Sequence, residues 1–301
     1  MSCFCGAGIF AGFVGQPGTQ LALMVWPAGF VFVAASLSRH LAFGSGFASD
    51  GGQEMRPLLC SFLLLLAFSL STKAPVAVPI PKEPHHHLVL ENSYVRVFRV
   101  SVPAHDATLL HQHDLPYVYV ALGPGDVINA VAGKPEARMV MTDGQVGYSD
   151  GGFAHVARTD SGLILNNIII ELLKPQGQPR NLCAQIVPGA EAAPCGITLA
   201  DKQKSYFIEP QFETAEMTVD QIQIGPKAGK LGTIPQTESL LVALNESEIQ
   251  IDVEGQPTRT LSPGEVIWLQ AGSLETLSIP GKKSARYLQL SFKDSGASAK
   301  P

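Results

Sequence analysis

His111-Gln112-His113 places two imidazoles at i and i+2 in a β-patterned stretch. Residues two apart on a strand point to the same face. A third imidazole, His155, follows a glycine-punctuated segment running from Gly144 to Gly152. If a neighbouring strand delivers it to that face, three nitrogens converge on one point. Imidazole suits iron, manganese, nickel, copper and zinc to differing degrees, and three of them leave coordination positions open for water or substrate. The competing expectation is a metal-free barrel in which these histidines are simply packed and hydrogen-bonded.

Other histidines read differently. Consecutive strand residues alternate faces, so His85-His86-His87 cannot all meet one ion and are expected as solvated residues at a strand entry. His105 is expected on a loop. Arg158 reads as a strand-surface charge that can also approach an anionic substrate. The sequence has no Gly-rich phosphate loop, no G-x-S-x-G elbow and no cysteine in a nucleophile setting.

The elements that must position the three histidines are strands. Short alternating or β-branched runs recur at Tyr94–Val102, Tyr117–Leu122, Asp126–Val131, Ala137–Met141, Leu163–Leu173, Met217–Ile224, Leu240–Leu244, Glu248–Val253, Glu265–Leu269 and Arg286–Phe292, with Gly, Pro, Asn and Asp between them. That spacing implies an all-β sandwich or barrel. The chain has 301 residues, 46% hydrophobic and 16% charged, with formal net charge −5. A packed core is expected, and no basic patch suggests a nucleic-acid partner.

The runs fall into two units, near 84–174 and 201–294, joined by a proline-rich linker at 175–200. The units repeat each other. Gly144 and Gly152 are eight apart, as are Gly264 and Gly272, and three residues beyond each pair stand His155 and Glu275. Val118–Leu122 matches Leu240–Leu244. The second unit keeps the glycines and the apolar strands but not the histidines: Thr233-Ile234-Pro235-Gln236 stands opposite His111–His113. Glu275, without histidine partners, is expected as a rim carboxylate.

The amino-terminal part has a separate character. Met55-Arg56-Pro57, an apolar run to Leu70 and the small residues after it have the form of a secretory signal peptide at 55–74, cleaved after Ser71 or Ala74. Residues 1–54 then read as upstream sequence from a misassigned start, with a membrane anchor around Leu21–Leu37 as the rival; membrane contact is expected only through this segment. The rest of the chain is expected to be periplasmic or secreted. Cys183 and Cys195 are the only cysteines beyond the leader, and an even pair in an exported chain suggests one disulfide of about 3 kcal/mol.

Taken together, these residues resemble the cupin superfamily. Gly144, Gly152 and His155 match its second motif in register, with Asp150 in place of the usual proline and Thr159 in place of the usual asparagine. His111, His113 and Gly125 match its first motif, but His105 replaces the opening glycine, and Tyr117 or Val118 stands where the family carries glutamate. The resemblance covers roughly 84–294 and implies a bicupin: two tandem antiparallel β-barrels of the double-stranded β-helix type. It implies one divalent transition metal held by His111, His113 and His155 in the first barrel. It also implies an oxygenase or isomerase acting on a small organic molecule, with Tyr117 or Tyr119 lining the pocket. Homodimers are expected from the same likeness, since cupin barrels often pair. The alternative function is a non-catalytic barrel that binds a small ligand or a protein.

Overall fold

The computed structural model describes residues 21–25, 31–35, 76–244 and 248–293. The chain divides into two compact units, 1–71 and 72–301. In the first, strands Leu21–Val25 and Val31–Ala35 pair antiparallel. The leader expected at 55–74 lies outside the described residues. Among those described, no helix is long and apolar enough to cross a membrane.

Residues 76–293 are almost wholly β. Among the described residues, helix is confined to a 3-10 turn at Ile80–Lys82 and an α-turn at Leu199–Lys202. The strands form two barrels, each made of two facing sheets. In barrel one, the first sheet has the order Val146–Ser149, Tyr117–Ala121, Leu165–Leu172, Val95–Val102, His86–Glu91. Its second sheet runs Val78–Pro79, His111–His113, Phe153–Arg158, Gly125–Val131, Ala137–Met141. Barrel two repeats the plan. One sheet runs Arg180–Asn181, Tyr206–Glu213, Met217–Ile224, Ala285–Phe292, Ser239–Ala243, Val266–Leu269. The other runs Leu231–Thr233, Glu275–Ser278, Ile249–Val253, Arg259–Leu261. This is the all-β architecture of two tandem barrels that the sequence implies.

The repeat extends to individual backbone hydrogen bonds. The amide of Gly144 donates to Ala121 O, and that of Gly264 to Ala243 O; Gly152 donates to His113 O, and Gly272 to Pro235 O. All four glycines have positive φ, between 73° and 81°. A side chain is strained there, which explains why both copies keep glycine at these turns.

The large sheets are apolar on both faces, for a definite reason. Val95, Val97, Val118, Val120, Ile168 and Ile170 point away from barrel one's interior and join Met217, Val219, Leu240, Val242, Leu288 and Leu290 of barrel two in one buried cluster. Phe98, Tyr117 and Ile169 point into barrel one. Sheets covered on both sides lose the polar alternation that normally marks an outer face. Arg286 of barrel two reinforces the junction with an ion pair to Asp143 at 2.7 Å.

The segment read as a linker also carries structure. Arg180–Asn181 adds an edge strand to barrel two by pairing with Tyr206–Glu213. Asn181 is fully buried, and its side chain hydrogen-bonds Val187 O and the amides of Ile186 and Val187. Cys183 and Cys195 form the expected disulfide.

Candidate metal centre

His111 and His113 stand on a short central strand, both 1% exposed and facing the interior. Phe153–Arg158 pairs beside it, with His155 opposite His111. The three histidines picked out by spacing therefore meet. The His113 and His155 Nε2 atoms are 3.1 Å apart. Two nitrogens bound to one ion at about 2.1 Å, at roughly 90–110°, lie about 3.0–3.4 Å apart.

A fourth histidine joins them, which corrects the expectation for His85-His86-His87. Alternation holds: His87 is exposed and His85 half-buried, but His86 is buried. His86 pairs opposite Val100, whose side chain lines the interior, so His86 faces inward as well. One nitrogen each from His86, His111 and His113 lies within 4.8 Å of the others. The His86 and His111 rings are 4.8 Å apart, and those of His111 and His155 4.4 Å.

Hydrogen bonds on the far side of the rings set the tautomers. His86 Nδ1 donates to Glu83 Oε2 at 2.5 Å, His111 Nδ1 to Leu109 O at 2.9 Å, and His155 Nδ1 to Asn129 Oδ1 at 2.6 Å. Each of these rings then carries its lone pair on Nε2. That is the outer support metal-ligating histidines ordinarily have. Among the described residues, no protein group bonds to the buried His111 Nε2 or His113 Nδ1. Buried polar atoms rarely lack partners, so the orphaned His111 Nε2 fits a cation, whereas His113 Nδ1 lies on the other side of its ring from the nitrogen that faces His155.

Burial fixes the charge state. It pushes His111 down to about 4 and His155 to about 3, and His113 is depressed further still, its imidazole neighbours adding to the shift. Neutral imidazole is the form that binds metal. Burial alone would raise the Glu83 carboxyl, but the bond from His86 and the amides of Leu109 and His85 outweigh it and hold Glu83 low. Glu83 thus stays an anion, only 2% exposed, behind the His86 ring.

Tyr117 rather than Val118 faces the site. Its ring stacks on His113 at 4.3 Å, and burial raises its phenol to about 12. Where the motif would have a carboxylate, the interior holds a neutral aromatic. Tyr119 lines the cavity too, its ring lying against Gly147: a Cβ there would sit 2.1 Å from the ring. The cavity beside the histidines encloses about 80 Å³, room for roughly five to eight water-sized groups.

The remaining candidates sit elsewhere. Arg158 forms ion pairs with Glu136 and Asp160 on the surface, as the surface reading expected. His105 turns a loop at φ 61°, the one positive value among the described non-glycine residues. Thr159 fastens that loop by donating to Pro103 O. Glu275 is 3% exposed, which corrects its expected place on the rim. The register explains this: Glu275 occupies the inward position that His155 holds in barrel one. Barrel two lacks all four imidazoles, because pairing aligns Ile208 with His86, Thr233 with His111 and Pro235 with His113.

Two side chains of the site, His86 and Glu83, escape sequence reasoning. The available signal was the inward parity of one residue in the His85–His87 run, but it needed the pairing partner to be known.

No family model matches the sequence, and no curated protein matches it. Similar solved structures include protein Ylba from E. coli (11% identity, 73% of this chain and 88% of that one, TM-score 0.49). Another is a cupin 2 conserved barrel domain protein from Leptotrichia buccalis (11% identity, 69% and 88%, TM-score 0.44). A third is a salicylate 1,2-dioxygenase from Pseudaminobacter salicylatoxidans (9% identity, 68% and 75%, TM-score 0.45). At these values the likeness carries no argument, and the reading of the fold and the site rests on this chain's own strands and side chains.

Proposed function

We propose that barrel one binds a single divalent transition metal through His86, His111, His113 and His155, and acts on a small organic molecule as an oxygenase or isomerase. The observation that carries this reading is the convergence of nitrogens: one each from His86, His111 and His113 lies within 4.8 Å of the others, and His155 Nε2 lies 3.1 Å from His113 Nε2. A divalent ion there would supply Lewis acidity and exchangeable positions for substrate. The chain's own part is to hold four imidazoles, those of His111, His113 and His155 kept neutral by burial, to keep Glu83 ionised behind His86, and to wall the site with Tyr117 and aliphatic side chains.

Four imidazoles fill a tetrahedral ion but leave two positions on an octahedral one. The ligand count therefore also supports a second reading, in which a closed ion braces a barrel that only binds a ligand.

Metal analysis of the untagged full-length chain tests the site. The expected result is one equivalent per chain, lost in the His111→Ala/His113→Ala variant. No metal under replete conditions sinks both readings. An absorption spectrum of the cobalt(II) form separates them, since tetrahedral and six-coordinate ions differ strongly in intensity. Export to the periplasm or the exterior belongs to the same proposal, supported by the disulfide. Amino-terminal sequencing of the natural protein checks it.

A further inference from the structure

Barrel two has lost the imidazoles but not the cavity. About 370 Å³ is open inside it, against about 80 Å³ in barrel one. That is the volume of a small-molecule pocket. Ile208 and Ile234 at its mouth are 42% and 52% exposed, while Ser239, Glu275 and Tyr287 at its floor are buried, so the cavity runs inward from solvent.

Its polar groups lean to one sign of charge. Strand Met217–Ile224 turns Asp220 inward with Ile222 and Ile224, while Val219 joins the cluster shared with barrel one. Asp220 is half-buried. Burial raises its carboxyl, with no donor or cation among the described residues to offset the rise. Glu275 enters the same space from the facing sheet. Both acids act on the hydrogen-bonded phenols of Tyr206 and Tyr287, and burial together with their charge raises both phenols. No Lys, Arg or His lines the cavity. A partly desolvated carboxylate is costly until a cation reaches it, and such groups gather where a fold has a site to serve.

The other walls say which cation fits. A hard metal ion asks for six or more oxygens. Ile208, Ile222 and Ile234 instead give an apolar wall, of no use to a bare ion. An ammonium group is also drawn to aromatic faces such as those of Tyr206 and Tyr287.

We infer that the cavity of barrel two is a second binding site, which takes a small organic ammonium ion with its charge at Asp220 and Glu275 and its hydrocarbon part against Ile208, Ile222 and Ile234. The site is separate from the metal centre and does not depend on it.

The test is calorimetric titration of the full-length protein at pH 7 in phosphate buffer, which brings no amine. The probes are 2-phenylethylammonium and n-hexylammonium, each compared with the alcohol of the same skeleton. In the wild type at least one amine binds about tenfold or more tighter than its alcohol, the worth of a charged hydrogen bond. Asp220→Asn removes a buried charge and so keeps the fold; there the preference disappears with metal content per chain unchanged. Glu275→Gln weakens amine binding as well. Equal binding of amine and alcohol, or no binding of either, overturns the inference, as does a preference that survives in Asp220→Asn. Displacement of the amine by equimolar calcium chloride would make this a metal site and overturn it too. The His111→Ala/His113→Ala variant keeps the amine preference even if the proposed metal centre fails its own test. Loss of the preference in that variant would place the amine in barrel one and overturn the inference.

Discussion

Glu83 shows how much a single side chain contributes. Its carboxylate sits behind His86 and takes three donors. Glu83→Gln keeps the shape but removes the charge that makes the His86 ring a stronger ligand. Metal affinity is expected to fall by about 10- to 100-fold with the fold intact, measured by competition with a chelator. His105 gives the opposite kind of test. Its φ of 61° is strained for any residue with a Cβ. His105→Gly relieves a left-handed penalty of about 1–2 kcal/mol and costs about 0.5–1 kcal/mol in chain entropy. A small rise in the urea midpoint, with metal content unchanged, is the outcome expected. A fall would show that the His105 side chain holds its loop.

At the scale of elements, the central strands were legible and the entering strands were not. Val95–Val102, Tyr117–Ala121, Met217–Ile224 and Ala285–Phe292 lie within a residue or so of their expected bounds, because β-branched runs between turn residues report themselves locally. His86–Glu91 and Tyr206–Glu213 hide their pattern: each carries a register shift, at Leu88/Leu90 and at Pro210/Phe212. A bulge breaks the two-residue period on which the eye depends. The pairing of Val146–Ser149 with Tyr117–Ala121 sets Gly147 directly beside Tyr119. Gly147→Ala must push the Tyr119 ring away, so it should cost about 1–3 kcal/mol in chemical unfolding and distort ligand binding. In barrel two, strand Met217–Ile224 carries Asp220 into the cavity shared with Glu275, and burial raises its carboxyl above the ordinary value. An acid with a raised folded pKa destabilises the fold once pH climbs past the unfolded value near 4. Asp220→Asn should therefore raise the thermal midpoint at pH 7, by an amount that shrinks as pH is lowered toward 3. A constant difference across that range would disprove the cause.

At the scale of the molecule, duplication has divided the labour. Barrel one holds four imidazoles, and barrel two holds Ile208, Thr233, Pro235 and Glu275 at the same register positions. The two barrels share one buried apolar cluster, so each covers a sheet face that would otherwise be wet. The disulfide serves barrel two, closing the stretch that follows its edge strand Arg180–Asn181. Replacing both Cys183 and Cys195 by serine is expected to cost about 2–4 kcal/mol of stability while leaving one metal per chain. Loss of metal along with stability would mean that the barrels do not hold their sites independently.

The sequence by itself determined the β class, the duplication, three of the four histidines and the disulfide pair. These follow from local rules: alternation along a strand, glycine at positive φ, and an even cysteine count. Only the tertiary structure decided that His86 joins the cluster, that Tyr117 faces it rather than Val118, and that Asp220 and Glu275 share the cavity of barrel two. Those outcomes depend on which strand lies opposite which. A one-residue shift in pairing would turn each of these side chains to the other face. The pairing is set by both barrels packing at once, and no short stretch of the sequence records it.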